Sequence, residues 1–400
     1  MNPEFRRYAC GQAVSVLGDQ VYYVALSWAA VRIASPGTAG VLLTVSAVPR
    51  LLLMLSGGVL VDRAEPRRLM LISDLARAVV CLAAAAVALR QASIPLLVVV
   101  ALAFGVADAV FLPAAGALQP RLLGPERYAS GNAVVATLNR VALTVGAPLG
   151  GLLVAAGGLP AALLVDAATF AVSVLALRSL RPRPALRPST KEECGLRDGL
   201  RYVARHPVLR GALLAGLLAN LGFVGPMNVG LALSAEAAGW GATGIGALLA
   251  GFGSGAIVTG LLMVRPRISR IAPAVAGCFA VQGVAVVVPA LTGSLPLAVA
   301  ATFVAGLTSG PTGILLSALT QTVTGDAYRG RVAGVSSVAN LGLTPLAMAA
   351  TGVAAGWFGL GPAMIASGLL ELVAAAVCLA LPALRNARLP RPVAKLPIRT

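Results

Sequence analysis

The chain has 400 residues, 58% hydrophobic and 11% charged, with a formal net charge of +17 and a mean hydropathy of +0.89. So little polar surface cannot clothe a soluble globule of this length, which leaves a multi-pass membrane protein as the class. The basic excess does not mark a nucleic-acid binder, because it is spread over many short segments instead of gathering on one solvated face.

Apolar stretches fall at roughly 8–33, 37–61, 69–89, 94–118, 130–156, 159–178, 209–235, 243–264, 271–291, 295–319, 331–357 and 361–384, each long enough to cross a bilayer as a helix. An all-α membrane protein of twelve transmembrane helices is therefore expected, arranged as two six-helix bundles around a central cavity. The expected divisions are an N-terminal bundle at 1–180, a cytoplasmic central loop at 181–208, a C-terminal bundle at 209–385 and a basic tail at 386–400. Of 31 Lys and Arg, 26 fall on the side that holds both termini; Arg32 and Arg90 alone fall on the other, with Arg50, Arg77 and Arg140 inside spans. That asymmetry places both termini in the cytoplasm, and Trp28, Trp240 and Trp357 at the outer interface. The first apolar run is too long for a cleaved leader and is expected to remain as a span.

In the central loop, Lys191 to Arg205 carries Leu196, Leu200 and Val203 on one side and Arg197, Arg201 and Arg205 on the other. This pattern predicts an interfacial amphipathic helix. The five cysteines are scattered without metal spacing, and the single His206 lies in this loop. No metal, cofactor or disulfide is expected.

The loop after the second span reads Gly58-Val-Leu-Val-Asp62-Arg63-Ala-Glu65-Pro66-Arg67-Arg68. It resembles the loop between helices 2 and 3 of the major facilitator superfamily: Gly58, Asp62, Arg63, Arg67 and Arg68 match, while Glu65 stands for a glycine and Pro66 for a basic residue. Residues 17–23, 127–133, 195–207 and 329–332 are similar to the drug, macrolide and siderophore exporters of that superfamily. Gly146-Ala-Pro148-Leu-Gly150-Gly151 in the fifth span resembles the antiporter signature, with the proline displaced by one residue. A faint repeat offset by 202 residues, pairing Gly58 with Gly260 and Arg127 with Arg329, fits two bundles that rock about a central site.

Ionisable residues inside a membrane cost roughly 2.5–3.5 kcal/mol each on insertion scales, so they mark function or a partner. Asp19, Arg50, Asp108 and Arg140 share one mid-membrane level and form the expected proton-coupling site. Burial favours a neutral carboxyl and a nearby guanidinium a charged one, so access to water can switch its state. Which acid pairs with which arginine stays open at this point. Asp74 and Arg77 are expected near the cytoplasmic end of the third span, tying the Asp62 loop to its helices. Asp166 and Glu371 are expected on peripheral helices.

Tyr22, Tyr23, Asn220, Phe223, Met227 and Asn340 are the expected substrate-cavity residues, with Asn228, Ser309, Thr312 and Phe252 beside them. Gly146, Pro148, Gly150 and Gly151 form the expected helix-5 hinge. Gly58, Asp62, Arg63, Arg67, Arg68, Asp326, Arg329 and Arg331 form the expected gating loops, which latch the outward-open state. Metalloprotease, serine-hydrolase and phosphate-loop patterns are missing from the sequence, which argues against an enzyme or an ATP-driven pump. The functional expectation is export of a lipophilic small molecule by alternating access in exchange for protons, by a monomer in the cell membrane. Proton-coupled import of a polar metabolite is the alternative.

Overall fold

The computed structural model describes residues 3–49, 53, 65–123, 127–180, 196–263, 270–325 and 328–387. In chain order the helices are α1 (Pro3–Ile33), α2 (Pro36–Val45), α3 (Pro66–Ala88), α4 (Ile94–Leu122) and α5 (Tyr128–Arg178). Next come the short α6 (Leu196–Arg205) and α7 (Pro207–Gly225), which runs through a π-helical turn at Pro226–Gly230 into α8 (Leu231–Ala237). The remainder is α9 (Gly241–Leu262), α10 (Ile271–Leu291), α11 (Leu295–Val323), α12 (Arg329–Phe358), α13 (Leu360–Ala380) and α14 (Pro382–Arg385). Prolines at the first turn start many of them, where the missing N–H costs nothing.

Among the described residues nine helices are long and apolar enough to cross a membrane. One of the nine is the long α5 run, interrupted at Gly158 by a backbone with φ +67° and ψ −163°. That left-handed conformation suits glycine, and Pro160 two residues later restarts the helix. The limbs 128–157 and 159–178 correspond to the expected fifth and sixth spans. The expected second span is described only over α2 and the few residues after it.

The helices are built inside out relative to a soluble protein. On α3, Ser73, Asp74, Arg77 and Cys81 are buried, whereas Ile72, Leu75, Val79 and Leu82 are exposed. Water would reverse that arrangement; hydrocarbon favours it, because a polar group there must find its partner within the bundle.

Two packed groups result. In the first, α1 and α3 lie against α5, and α3 also lies against α4; in the second, α9 and α10 pack on α11, while α13 packs on α7 and α10. Two seams join them, α2 against α12 and α5 against α9. Glycine makes the first seam close: a Cβ added at Gly40 would lie 2.7 Å from the Gly352 Cα, and one added at Gly352 would lie 2.6 Å from the Gly40 Cα. In the second seam, a Cβ on Gly151 would stand 2.6 Å from the Ala242 carbonyl oxygen, and one on Gly246 2.7 Å from that of Ala147. Such small-residue contacts let backbones touch where hydrophobic driving force is lacking. Both seams lie toward the end that carries Trp240 and Phe358. A cavity between the two groups is lined by Gln20, Tyr23 and Arg140 of the first and by Phe223 and Met227 of the second.

The described part of the amphipathic segment, Leu196–Arg205, forms α6; residues 191–195 lie outside the described residues. Val203 is buried against Val332 and Val335, Tyr202 stacks on Tyr328 at 4.3 Å, and Gly199 fits against the Arg331 carbonyl. Leu200 stays exposed.

Candidate functional site

The charged centre of the first group is Arg77. Because α3 begins at Pro66, Arg77 occupies the middle of that helix, correcting the expectation that it lies near the cytoplasmic end; the Asp62 loop it was expected to tie lies outside the described residues. It is almost fully buried, with its guanidinium between the rings of Phe111 and Phe170, 4.6 and 4.5 Å from their centroids. Nη2 donates to Asp74 Oδ1 at 2.6 Å, while Nη1 lies 3.2 Å from Asp108 Oδ1 and 3.5 Å from Asp19 Oδ1. Four helix segments thus supply the cluster, since Ser173 of the second limb of α5 donates to Asp74 Oδ2 at 2.6 Å. Asp19 and Asp108 lie at the middles of α1 and α4, so the charges share one depth.

The three carboxylates are not equivalent. Asp74 is fully buried and bonded on both oxygens, as a permanent structural partner would be. The side chains of Asp19 and Asp108 keep 37% and 31% of their surface exposed, and their contacts with Arg77 are longer. Behind them Asp166 is fully buried and accepts from Cys81 Sγ at 3.6 Å and Thr169 Oγ1 at 3.2 Å. A Cβ at Gly18 would collide with Thr169 and Asp166, so that glycine brings α1 onto α5 at the charged level.

Arg140 lies elsewhere. Among the described residues the arginine paired with Asp19 and Asp108 is Arg77, which the expected proton-coupling set did not include. Arg140 is exposed and lines a cavity of about 280 Å³ between the two groups, with Tyr23, Phe223, Met227 and Phe252. Tyr23 donates across it to Asn228 Oδ1 at 2.7 Å, and Asn228 in turn donates to the Val224 carbonyl. The π-helical turn that holds Asn228 begins at Pro226, whose missing N–H disturbs the regular ladder; such bulges often mark functional sites. Tyr22 points the other way, buried and stacked on Phe104 at 4.1 Å, so it is not a wall of this cavity.

A larger cavity of about 530 Å³ adjoins at Phe223 and runs along α7, α11 and α12 toward the arginine-rich end. Asn220 and Asn340 meet on its wall at 3.4 Å. Ser309, Thr312, Gln321 and Ser336 add polar groups to it. Glu371 is also among the residues of this wall, and the side chains of both Asp166 and Glu371 are buried against neighbouring helices, Asp166 at Gly18 of α1 and Glu371 at Gly222 of α7.

Within Gly146 to Gly151 the backbone stays helical; the break comes at Gly158. Gly146 and Gly150 face α1, at Leu17 and Val21, while Gly151 and Pro148 face α9. The stretch is a two-sided packing strip. Of the gating residues, Arg67 donates to the Leu177 and Arg178 carbonyls at 2.8 and 2.7 Å, capping the end of α5. Arg68 pairs with Glu65 at 3.1 Å, and Arg331 sits over the Tyr328 ring at 5.0 Å. Arg329 opens α12. Arg50, Gly58, Asp62, Arg63 and Asp326 lie outside the described residues. The four described cysteines, Cys10, Cys81, Cys278 and Cys378, are free thiols.

Comparison with known proteins agrees with this architecture. Residues 8–342 match the model of the Major Facilitator Superfamily. The chain is 27% identical over 383 residues to the uncharacterized MFS-type transporter YfiS of Bacillus subtilis (strain 168), covering 90% of this chain and 89% of the relative. It is 28% identical over 397 residues to the multidrug efflux pump Tap of Mycolicibacterium fortuitum, covering 92% and 93%. The crystal structure of the nucleoside transporter NupG superposes with a TM-score of 0.76 over 95% of this chain and 99% of that one, at 12% identity, a likeness of fold alone. With most of its length matched, a helical membrane fold and two joined helix groups around a cavity, the chain belongs to the Major Facilitator Superfamily of membrane transporters.

Proposed function

We propose that this transporter exports lipophilic small molecules from the cytoplasm by alternating access in exchange for protons, with both termini on the cytoplasmic side of the cell membrane. The observation that carries the reading is the placement of Asp19 and Asp108. Both lie at mid-depth, partly exposed, sharing a buried arginine whose position Asp74 and two aromatic rings hold. A carboxylate that competes for a shared guanidinium can exchange that contact for a proton at little electrostatic cost when water reaches it.

Closure of both seams at the Trp240 end, with the cavity running to the arginine-rich end, describes an inward-open state under this orientation. Rocking about the Gly146–Gly151 strip and the Gly40–Gly352 contact would expose the same cavity to the other side, with the loops near Arg67 and Arg331 as latches. The relative named as a multidrug efflux pump, similar over nearly its whole length, supports the export direction. The polar wall of the larger cavity is the observation that favours the second reading, proton-coupled import of a polar metabolite.

The test is ethidium accumulation in cells expressing the chain. Export predicts lower steady-state accumulation than in vector controls, restored to the control level by an uncoupler. Equal accumulation for every lipophilic dye tried, together with uptake of a polar metabolite, would favour import.

A further inference from the structure

Arg140 is the mid-membrane charge that the Arg77 cluster leaves over. It stands about 18 Å along α5 from Tyr128, with its side chain exposed on the wall of the cavity between the two helix groups. Among the described residues no carboxylate lies within ion-pair distance of it, whereas Arg77 pairs with Asp19, Asp74 and Asp108. An arginine at such depth without a protein partner marks the path of a ligand. Helix register gathers the polar groups of this wall: Arg140 and Thr144 share one face of α5, as Gln20 and Tyr23 share one face of α1. Most of them are spent on local bonds. Tyr23 donates to Asn228 Oδ1 at 2.7 Å, Asn228 Nδ2 to the Val224 carbonyl at 2.7 Å, and Thr144 Oγ1 to the Arg140 carbonyl at 2.9 Å. The Arg140 guanidinium, with its fork of N–H donors, is the dominant group left unanswered.

The rest of the wall is apolar. Met227 and Leu249 line it together with Phe223 and Phe252, whose ring centroids lie 5.8 Å apart. A ligand that answers such a site has a head of anionic acceptor oxygens, which a guanidinium grips through two parallel N–H bonds, and an apolar body. We propose that this cavity is a recognition site for lipophilic carboxylic acids in their ionised form, with Arg140 as counter-ion and Phe223 and Phe252 as the seat of an aromatic body. Arg140 belongs to the first helix group and the two rings to the second, so the ligand bridges the parts that rock against each other. Arg77 does not compete for the anion, because it is buried between two rings and committed to its own carboxylates. The proposal deepens the exporter reading by naming a substrate class, and it rests on that reading only for the direction of travel.

The test is equilibrium binding to the purified full-length chain in detergent at neutral pH, without any gradient, using 1-naphthylacetate and its neutral counterpart 1-naphthylacetamide. The wild type is expected to bind the acid at least about tenfold tighter, as a charge-assisted pair provides. Arg140→Gln is expected to bring the acid to the level of the amide and to leave the amide unchanged. Should that variant fail to fold, Arg140→Lys decides: it keeps the charge but not the fork, so the acid weakens several-fold and the amide does not. Phe252→Ala is expected to weaken both probes several-fold, which places them in this cavity. Sodium acetate, which lacks the apolar body, is expected not to compete at the probe's concentration. Equal or absent binding of the two probes by wild type, a preference that survives Arg140→Gln undiminished, or no effect of Phe252→Ala each overturns the proposal. Equal competition by acetate overturns it as well, by showing a site for any small anion. Because no transport is measured, loss of the acid preference leaves export standing, and loss of dye efflux leaves this site standing.

Discussion

Asp19 and Asp108, from α1 and α4, converge on a single nitrogen of Arg77, 3.5 Å from the first and 3.2 Å from the second. The same guanidinium gives its other terminal nitrogen to Asp74 at 2.6 Å. One group therefore combines a fixed contact with two that can lengthen, which separates holding the helices together from responding to protons.

Removing the shared partner should cost more stability than removing either responsive acid. Arg77→Gln leaves Asp74 buried without a countercharge, a loss of about 3–5 kcal/mol for a broken buried pair. Asp108→Asn keeps a side chain that still accepts a hydrogen bond at a partly exposed site. Thermal unfolding in detergent should show a large drop in midpoint for Arg77→Gln and a small one for Asp108→Asn. Arg77→Lys should restore part of the midpoint but not transport, because one ammonium cannot serve three carboxylates between two rings.

The Tyr23–Asn228 hydrogen bond spans the two helix groups and belongs to the state described here. Tyr23→Phe keeps the ring and loses the donor, at about 0.5–1.5 kcal/mol for a net hydrogen bond. The expected outcome is a several-fold shift toward the state open at the Trp240 end. It would be read as faster labelling of a reporter cysteine placed at that end.

Gly37 and Gly356 flank the α2–α12 seam, with a Cβ on Gly356 placed 3.7 Å from the Gly37 Cα. Gly37→Cys with Gly356→Cys, in a background lacking the native cysteines, should form a disulfide on oxidation. If the seam must part in each cycle, oxidation arrests transport and a reductant restores it. Undiminished transport by the fully crosslinked protein would show that the seam does not open.

A Cβ at Gly18 has no room beside Thr169 and Asp166. Gly18→Val should therefore push α1 from α5, destabilising by about 1–3 kcal/mol as overpacking does. Because Asp19 is the next residue, transport should fall further than the midpoint alone would suggest. Turnover falling only in step with folded protein would place the charged cluster outside the mechanism.

The helix boundaries were legible because an apolar run of span length, a proline at its start and a basic loop at its end all report the same event. The break at Gly158 could be read from the small-residue gap before Pro160 in the same way. Arg77 is not, because an apolar run beginning at Leu69 places it nearer the cytoplasmic end of the span. The readable signal was Pro66, a first-turn residue that moves the helix centre to Arg77. Asp74 and Arg77, three apart in an otherwise apolar run, were visible as a pair, but Phe111 and Phe170 come from other helices. Glu371 illustrates a different limit. Its own stretch shows a lone acid among alanines and leucines, and only the fold brings Gly222 and Gly283 to it. Tyr22 and Tyr23 were both cavity candidates, and packing against Phe104 decided between them.

The central claim is that Asp19 couples substrate movement to protons, and proton movement measures it most directly. Proteoliposomes with an interior pH dye and an imposed pH gradient would be challenged with lipophilic compounds, comparing wild type with Asp19→Asn. The account predicts substrate-triggered dissipation of the gradient by wild type and its loss in the mutant at equal reconstitution. Dissipation of equal rate in Asp19→Asn, or none in wild type with any compound, would contradict it.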